Sequence, residues 1–209
     1  MADYVIKFVS QYTHAETLVN GTLFMRPAMY YHYLEEGQGD KHEGAIDNSI
    51  DTPSYKGWSH PIYCMYYLDE KEIKDGKAII PQKVISDFKC DKGYAVVIPK
   101  DQFMSLIPNK YEGSSVYTGK VKYGISTPLS KFLSMFDSTG RESLFLKRPV
   151  FSHQKEFRVT IDKQLFDRPN SEVKEKVYNC KLNGNFKEMA SIIPVGENII
   201  ESGDLQITL

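Results

Sequence analysis

The stretch Ser152-His153-Gln154-Lys155-Glu156-Phe157-Arg158-Val159-Thr160-Ile161 decides how the chain is read. From 156 to 161 polar and apolar residues alternate. Successive strand side chains point to opposite faces, so the pattern predicts a strand with Phe157, Val159 and Ile161 on one side and Glu156, Arg158 and Thr160 on the other. Gln154, two residues before Glu156, shares the polar face on this reading, so its amide and the carboxylate would reach one cleft together. Such a carboxylate is suited to stabilising positive charge at a sugar carbon, with the amide as its orienting companion. The same pattern also describes a solvated strand face on which Glu156 and Arg158 balance each other. The alternation alone leaves both readings open.

Working outward, residues 4–9 form an apolar strand pattern in which Lys7 is the one charge. An edge position, from which the amine reaches water, would explain it. Thr13-x-x-Glu16 has the spacing of a helix capping box, and Gly21 stands where the helix would stop. Residues 22–25 read as a second strand, and Pro27 suits the first turn of a following helix that carries Tyr30, Tyr31 and Tyr33. Residues 37–61 are rich in Gly, Asp, Ser and Asn without periodicity, which predicts a long functional loop. Within it Gly37-Gln38-Gly39-Asp40 follows a helix, not a strand, and reads as a helix stop and turn.

Strand patterns recur at 62–68, 94–98, 116–123, 173–182 and 205–209, and helical ones at 81–88, 100–107 and 128–136. Lys147, Arg148 and Pro149 read as a basic turn, and Asn183-Gly184 as a tight one. The 209 residues fit a single α+β domain, helices gathered in the first two-thirds and sheet at the end.

Lys and Arg number 26 against 27 Asp and Glu, a balance that excludes a uniformly basic nucleic-acid coat but not a local basic groove. The 3 cysteines are widely spaced, without a C-x-x-C pair, and the 5 histidines include no H-E-x-x-H, so neither a disulfide framework nor a metal site is expected. No signal-peptide pattern and no apolar run of about 18 residues is present, which predicts a cytoplasmic protein with no membrane partner. Phosphate-binding, dinucleotide-binding and nucleophile-elbow motifs are absent. Composition does single out tyrosine, at 14 residues. Rings at 30, 31 and 33 can stack on a flat heterocycle while Arg26 pairs with a phosphate. They can equally be two core residues and one at the rim.

A first strand with a polar residue, a helix ending in Gly, a second strand leading to a Tyr-bearing helix and a late Gln154-x-Glu156 strand together resemble the ADP-ribosyltransferase superfamily. The chain is also similar, over residues 4–162, to bacterial and phage proteins that share Arg26-Pro27, Leu34-Glu35-Glu36 with Gly39-Asp40-x-x-Glu43-Gly44, and Gln154-x-Glu156-x-Arg158. It departs from the superfamily pattern in having Lys on the first strand, where Arg or His is usual, and in lacking Ser-Thr-Ser.

The resemblance implies a split β-sheet core with peripheral helices and NAD as the substrate that donates ADP-ribose. Lys7 or Ser10 and Arg26 would hold NAD, with Tyr30, Tyr31 or Tyr33 stacked on nicotinamide. Glu156 would be catalytic, with Gln154 beside it. An amide in place of a second glutamate implies a neutral acceptor, an amide or a nucleobase amino group, and the resemblance to nucleic-acid-modifying toxins favours a nucleobase of RNA or DNA. Lys147, Arg148, Lys155 and Arg158 would guide the nucleic-acid backbone. The similarity to toxins of bacterial conflict and phage-defence systems implies growth arrest and an inhibitory antitoxin protein. The rival expectations are a non-catalytic interaction module on the same fold and an NAD glycohydrolase with no acceptor.

Overall fold

The computed structural model describes residues 2–32, 34, 55–124, 142–166 and 175–209. The first strand, β1 (Tyr4–Val9), leads into helix α1 (Tyr12–Val19), strand β2 (Thr22–Pro27) and the short helix α2 (Ala28–His32). One helical turn, α3 (Tyr55–Trp58), precedes β3 (Pro61–Leu68). Next come β4 (Lys77–Ile80), α4 (Gln82–Asp87), β5 (Tyr94–Pro99) and α5 (Lys100–Leu106). Two short strands, β6 (Lys110–Tyr111) and β8 (Lys122–Tyr123), flank β7 (Ser114–Lys120). A strand of two residues, β9 (Leu146–Lys147), precedes β10 (Glu156–Ile161). The last strands are β11 (Tyr178–Lys181), β12 (Ser191–Pro194) and β13 (Leu205–Thr208). The fold is α+β, its sheet mostly antiparallel and its helices few.

Most strands join one sheet in the order β12-β5-β1-β3-β10-β7-β6, with β2 and β11 attached beside β3. The centre of this sheet forks. One edge of β3 is covered by β10 from Ile62 to Tyr66. The opposite edge is shared: β1 pairs with Tyr66, Tyr67 and Leu68, whereas β2 pairs with Pro61 and Ile62. Between them β1 leaves β3 for β5, and α1 crosses the gap to β2. Lys7 stands at the fork, and its Nζ donates to the Cys64 carbonyl at 2.8 Å. A buried carbonyl that lacks a partner costs about 1–3 kcal/mol, which gives this cation its reason. Strand β1 is paired with β3 only from Tyr4 to Ile6, so at Lys7 the β3 side is open; the amine fills that gap on the buried Cys64 carbonyl and does not reach out to water.

The face of β10 that carries Phe157, Val159 and Ile161 packs into a core with Val5, Tyr63, Met65, Phe103 and Phe186. Phe103 stacks on Phe186 at 5.7 Å and meets Phe157 edge-on at 6.3 Å. Burying each such ring contributes about 1.5–3 kcal/mol. On the opposite face, β4 and β13 pair as a separate ribbon whose Ile80 and Ile207 pack with Ile6, Tyr66 and Val97.

Several local expectations need correction. Helix α1 is capped by Gln11 with no side-chain bond, so Thr13 is not the cap, and its carbonyl accepts from the Thr17 hydroxyl at 2.8 Å. Pro27 closes β2 and does not open a helix, because its residue pairs with Pro61. Gly21 does follow the helix, with φ +82, and a Cβ there would lie 1.9 Å from the Gly184 carbonyl oxygen. The expected helix at 128–136, most of the expected loop at 37–61 and Tyr33 lie outside the described residues; within that loop, residues 55–58 form α3.

Candidate functional site

Strand β10 is central, paired with both β3 and β7, and every residue from Glu156 to Ile161 is buried. Of the two readings left open for its polar face, the solvated one does not hold, because that face is covered. Glu156 is 3% exposed, Arg158 1%, and Lys147 7%. Arg158 grips one carboxylate oxygen of Glu156 through Nε at 2.7 Å and Nη2 at 2.6 Å, and donates from Nη1 to the Leu144 carbonyl at 2.6 Å. Lys147 donates to the other oxygen at 2.5 Å. It reaches Glu156 because β9 runs parallel to β8, with Tyr123 opposite Lys147. The Tyr123 hydroxyl then accepts from the Glu156 amide at 2.8 Å.

Gln154 is not on the strand. It ends a 3-10 turn, Pro149–Gln154, and the following Lys155 is left-handed, with φ +39. That kink still brings Gln154 and Glu156 together, because the Gln154 Oε1 accepts from the same Lys147 Nζ at 2.7 Å. The amide nitrogen of Gln154 donates to Asp87 at 2.9 Å, and His153 Nε2 meets the same oxygen at 2.6 Å. A continuous polar chain therefore runs from Asp87 through Gln154 and Lys147 to Glu156 and Arg158. Such a chain is costly unless each member is satisfied, and here each is. Burial pushes the Glu156 carboxyl upward, yet the charges of Arg158 and Lys147 outweigh it and hold the group well below the usual carboxylate range. The site presents an ionised carboxylate, oriented on both oxygens and shielded from water.

The remaining expected residues divide. Burial drives the Lys7 amine below its ordinary value, partly opposed by Cys64, Cys90 and Glu156. Tyr31 packs with Ala28, Ile62, Cys64 and Leu144. Burial raises its hydroxyl well above the ordinary value, and the charges of Arg158 and Glu156 also act on it. Tyr30 meets Tyr31 edge-on at 5.4 Å but faces the Arg26 guanidinium at 4.8 Å. Ser10 is exposed in the bend after β1. Lys147 and Arg158 do not form a rim for nucleic acid, since both are buried on Glu156; Arg148 lies over the Phe151 ring at 5.2 Å, and Lys155 pairs with Glu72. Lys147 is a strand residue, not part of an open turn.

A cavity of about 310 Å³ is walled by Glu156, Tyr67, Tyr123, Lys120, Lys155 and Glu72, among others. This lies at the lower end of small-molecule sites. Asp87 and Tyr123 were not foreseen: Asp87 ends a six-residue helix and gives no motif. Among the described residues no group of His, Cys, Asp and Glu is arranged to hold a metal, and no helix is long and apolar enough to cross a membrane. No family model, no curated protein and no solved structure matches the chain.

Proposed function

We propose that the chain is an NAD-dependent mono-ADP-ribosyltransferase on a split-sheet core, with Glu156 as its catalytic carboxylate and a nucleobase as acceptor. One observation carries this reading: three elements distant in sequence, β1 with Lys7, α2 with Tyr31 and β10 with Glu156, gather around Cys64 at the fork, where Lys7 donates to its carbonyl, Tyr31 packs against its cluster, and its strand partner Arg158 grips Glu156. That is the order of parts the resemblance implies. The bond between ribose C1′ and the nicotinamide nitrogen breaks, and its electron pair leaves with nicotinamide. Glu156, kept ionised by Arg158 and Lys147, stabilises the cationic sugar carbon in a site that excludes water. An amino nitrogen of the base then bonds to C1′ and loses a proton.

Gln154 has both ends of its amide engaged, so it acts as a positioning residue for Lys147. Tyr31 is the ring assigned to nicotinamide. Modification of RNA or DNA would arrest growth, and an antitoxin protein that covers the site would restrain it.

A second reading, the non-catalytic interaction module, is favoured by the engagement of both Glu156 oxygens. Incubation with NAD and RNA or DNA separates the two. The transferase releases nicotinamide and adds ADP-ribose to the nucleic acid, as read by mass spectrometry. A module releases none, and a glycohydrolase releases it equally in buffer alone.

A further inference from the structure

Strands β2 and β11 form a ribbon with one face in the core and one outside. Leu23, Met25 and Cys180 are turned inward. The outward residues of β2 are Thr22, Phe24 and Arg26, with Lys181 opposite Thr22 and Asn179 opposite Phe24. Phe24 is 44% exposed, an unusual position for a phenylalanine on a paired strand. Its surroundings are flat and cationic. The His14 ring lies 6.3 Å from it at an interplanar angle of 16°. The Arg26 guanidinium lies over Phe24 at 5.1 Å and over Tyr30 at 4.8 Å. Arg26 also donates to the Lys176 carbonyl at 3.4 Å, which ties it to the segment leading into β11, while Lys181 stands at the far end of that strand opposite Thr22. Tyr30 continues the row to Tyr31, which packs with Leu144, whose carbonyl Arg158 holds.

We propose that this outward face is a docking surface for single-stranded RNA. A row of ring and guanidinium planes suits successive bases, because every base offers a π face, while Arg26, Lys176 and Lys181 complement the phosphates. A duplex hides those base faces, and a protein partner would need a broader apolar patch than Phe24 offers. Single strands of this kind are supplied chiefly by RNA. The surface also answers how a chain with balanced charge holds nucleic acid, since the cations are local and not spread. The row leads from α1 across β2 and α2 toward the Glu156 cluster. That continuation, which would deliver a splayed base, rests on the transferase reading; the docking itself does not.

The test is fluorescence anisotropy with an end-labelled single-stranded RNA of about 15 nucleotides, near the upper end of site sizes for such surfaces. The Phe24→Ala variant, whose side chain is exposed, should fold as the wild type does by circular dichroism yet bind roughly tenfold more weakly. The Lys181→Ala variant should lower the slope of log affinity against log salt by about 0.7. Unchanged affinity in Phe24→Ala, equal affinity for an RNA duplex, tighter binding of the matching DNA strand or no binding at low salt would each overturn the proposal. Binding that depends on Phe24 without any nicotinamide release would sink the transferase reading alone. Release with RNA binding indifferent to Phe24 would sink the docking surface alone.

Discussion

The two faces of β10 are equally buried and opposite in chemistry. On one, Phe157, Val159 and Ile161 meet hydrocarbon from α5 and the neighbouring strands. On the other, Glu156 and Arg158 are as dry as those apolar neighbours, but they are charged. Removing an ion from water costs several kcal/mol even after relaxation, and the attraction within a pair returns that only with good geometry. The apolar face needs no reason beyond stability. The charged face is satisfied by Lys147, Gln154 and Asp87 from other elements, and the proposed function gives that arrangement its purpose.

This contrast can be broken from either side. The largest effect is expected from removing one ion: Arg158→Leu takes the guanidinium donors away from one Glu156 oxygen and from the Leu144 carbonyl, both buried, and should cost about 3–5 kcal/mol in urea unfolding. Phe157→Ala on the apolar face should cost a comparable amount, about 3–5 kcal/mol, through lost burial and a cavity. The comparison sharpens when the whole cluster is replaced. Lys147→Met, Glu156→Leu and Arg158→Met together should cost less than Arg158→Leu alone, the remaining loss coming from the Gln154 amide oxygen and the Leu144 carbonyl, which no longer receive those donors. A large loss in that triple variant would mean the ions hold the fold and would remove the argument for function.

Acid should act on the charged face first. The folded Glu156 carboxyl is held below its ordinary 4.5, so its contribution is fully present above that pH and is lost as the pH falls through the lowered value. Asp3, held down to about 2 chiefly by the Tyr67 hydroxyl, adds a smaller slope of the same sign. Stability measured from pH 5 downward should therefore fall less steeply in Glu156→Gln than in the wild type. The smallest change is expected at the kink: Lys155→Gly relieves a left-handed residue, worth about 1 kcal/mol, and loses the exposed pair with Glu72, worth at most about 1 kcal/mol. A net effect larger than that would show that Lys155 has a further partner.

The strands were legible where burial follows composition: the run at 62–68 reads as central and is buried throughout. The charged face of β10 was not, because alternation marks a half-solvated strand and says nothing of a cover supplied from elsewhere. Lys147 looked like part of a turn because a strand of two residues has no period to detect. Asp87 lies 67 positions from the Gln154 it holds, with no local pattern to connect them. Lys7 stands out within its strand because the β3 pairing ends before it, but its amine turns to a buried carbonyl instead of water. A forked sheet also leaves a carbonyl to satisfy, and sequence does not show where strands part. Gln154 and Glu156 were foreseen as neighbours in space, although the kink at Lys155 and not a shared strand face unites them.

On the proposed function, the buried carboxylate of Glu156 acts on NAD. The most direct measurement is nicotinamide release from NAD, with RNA or DNA present, by wild type and by Glu156→Gln, on samples whose circular dichroism confirms the same fold. The amide keeps the size of the side chain and loses the charge that stabilises the sugar cation, so release should fall by about 100-fold or more. Equal release by the two proteins, or none from the wild type with any acceptor, would contradict the account.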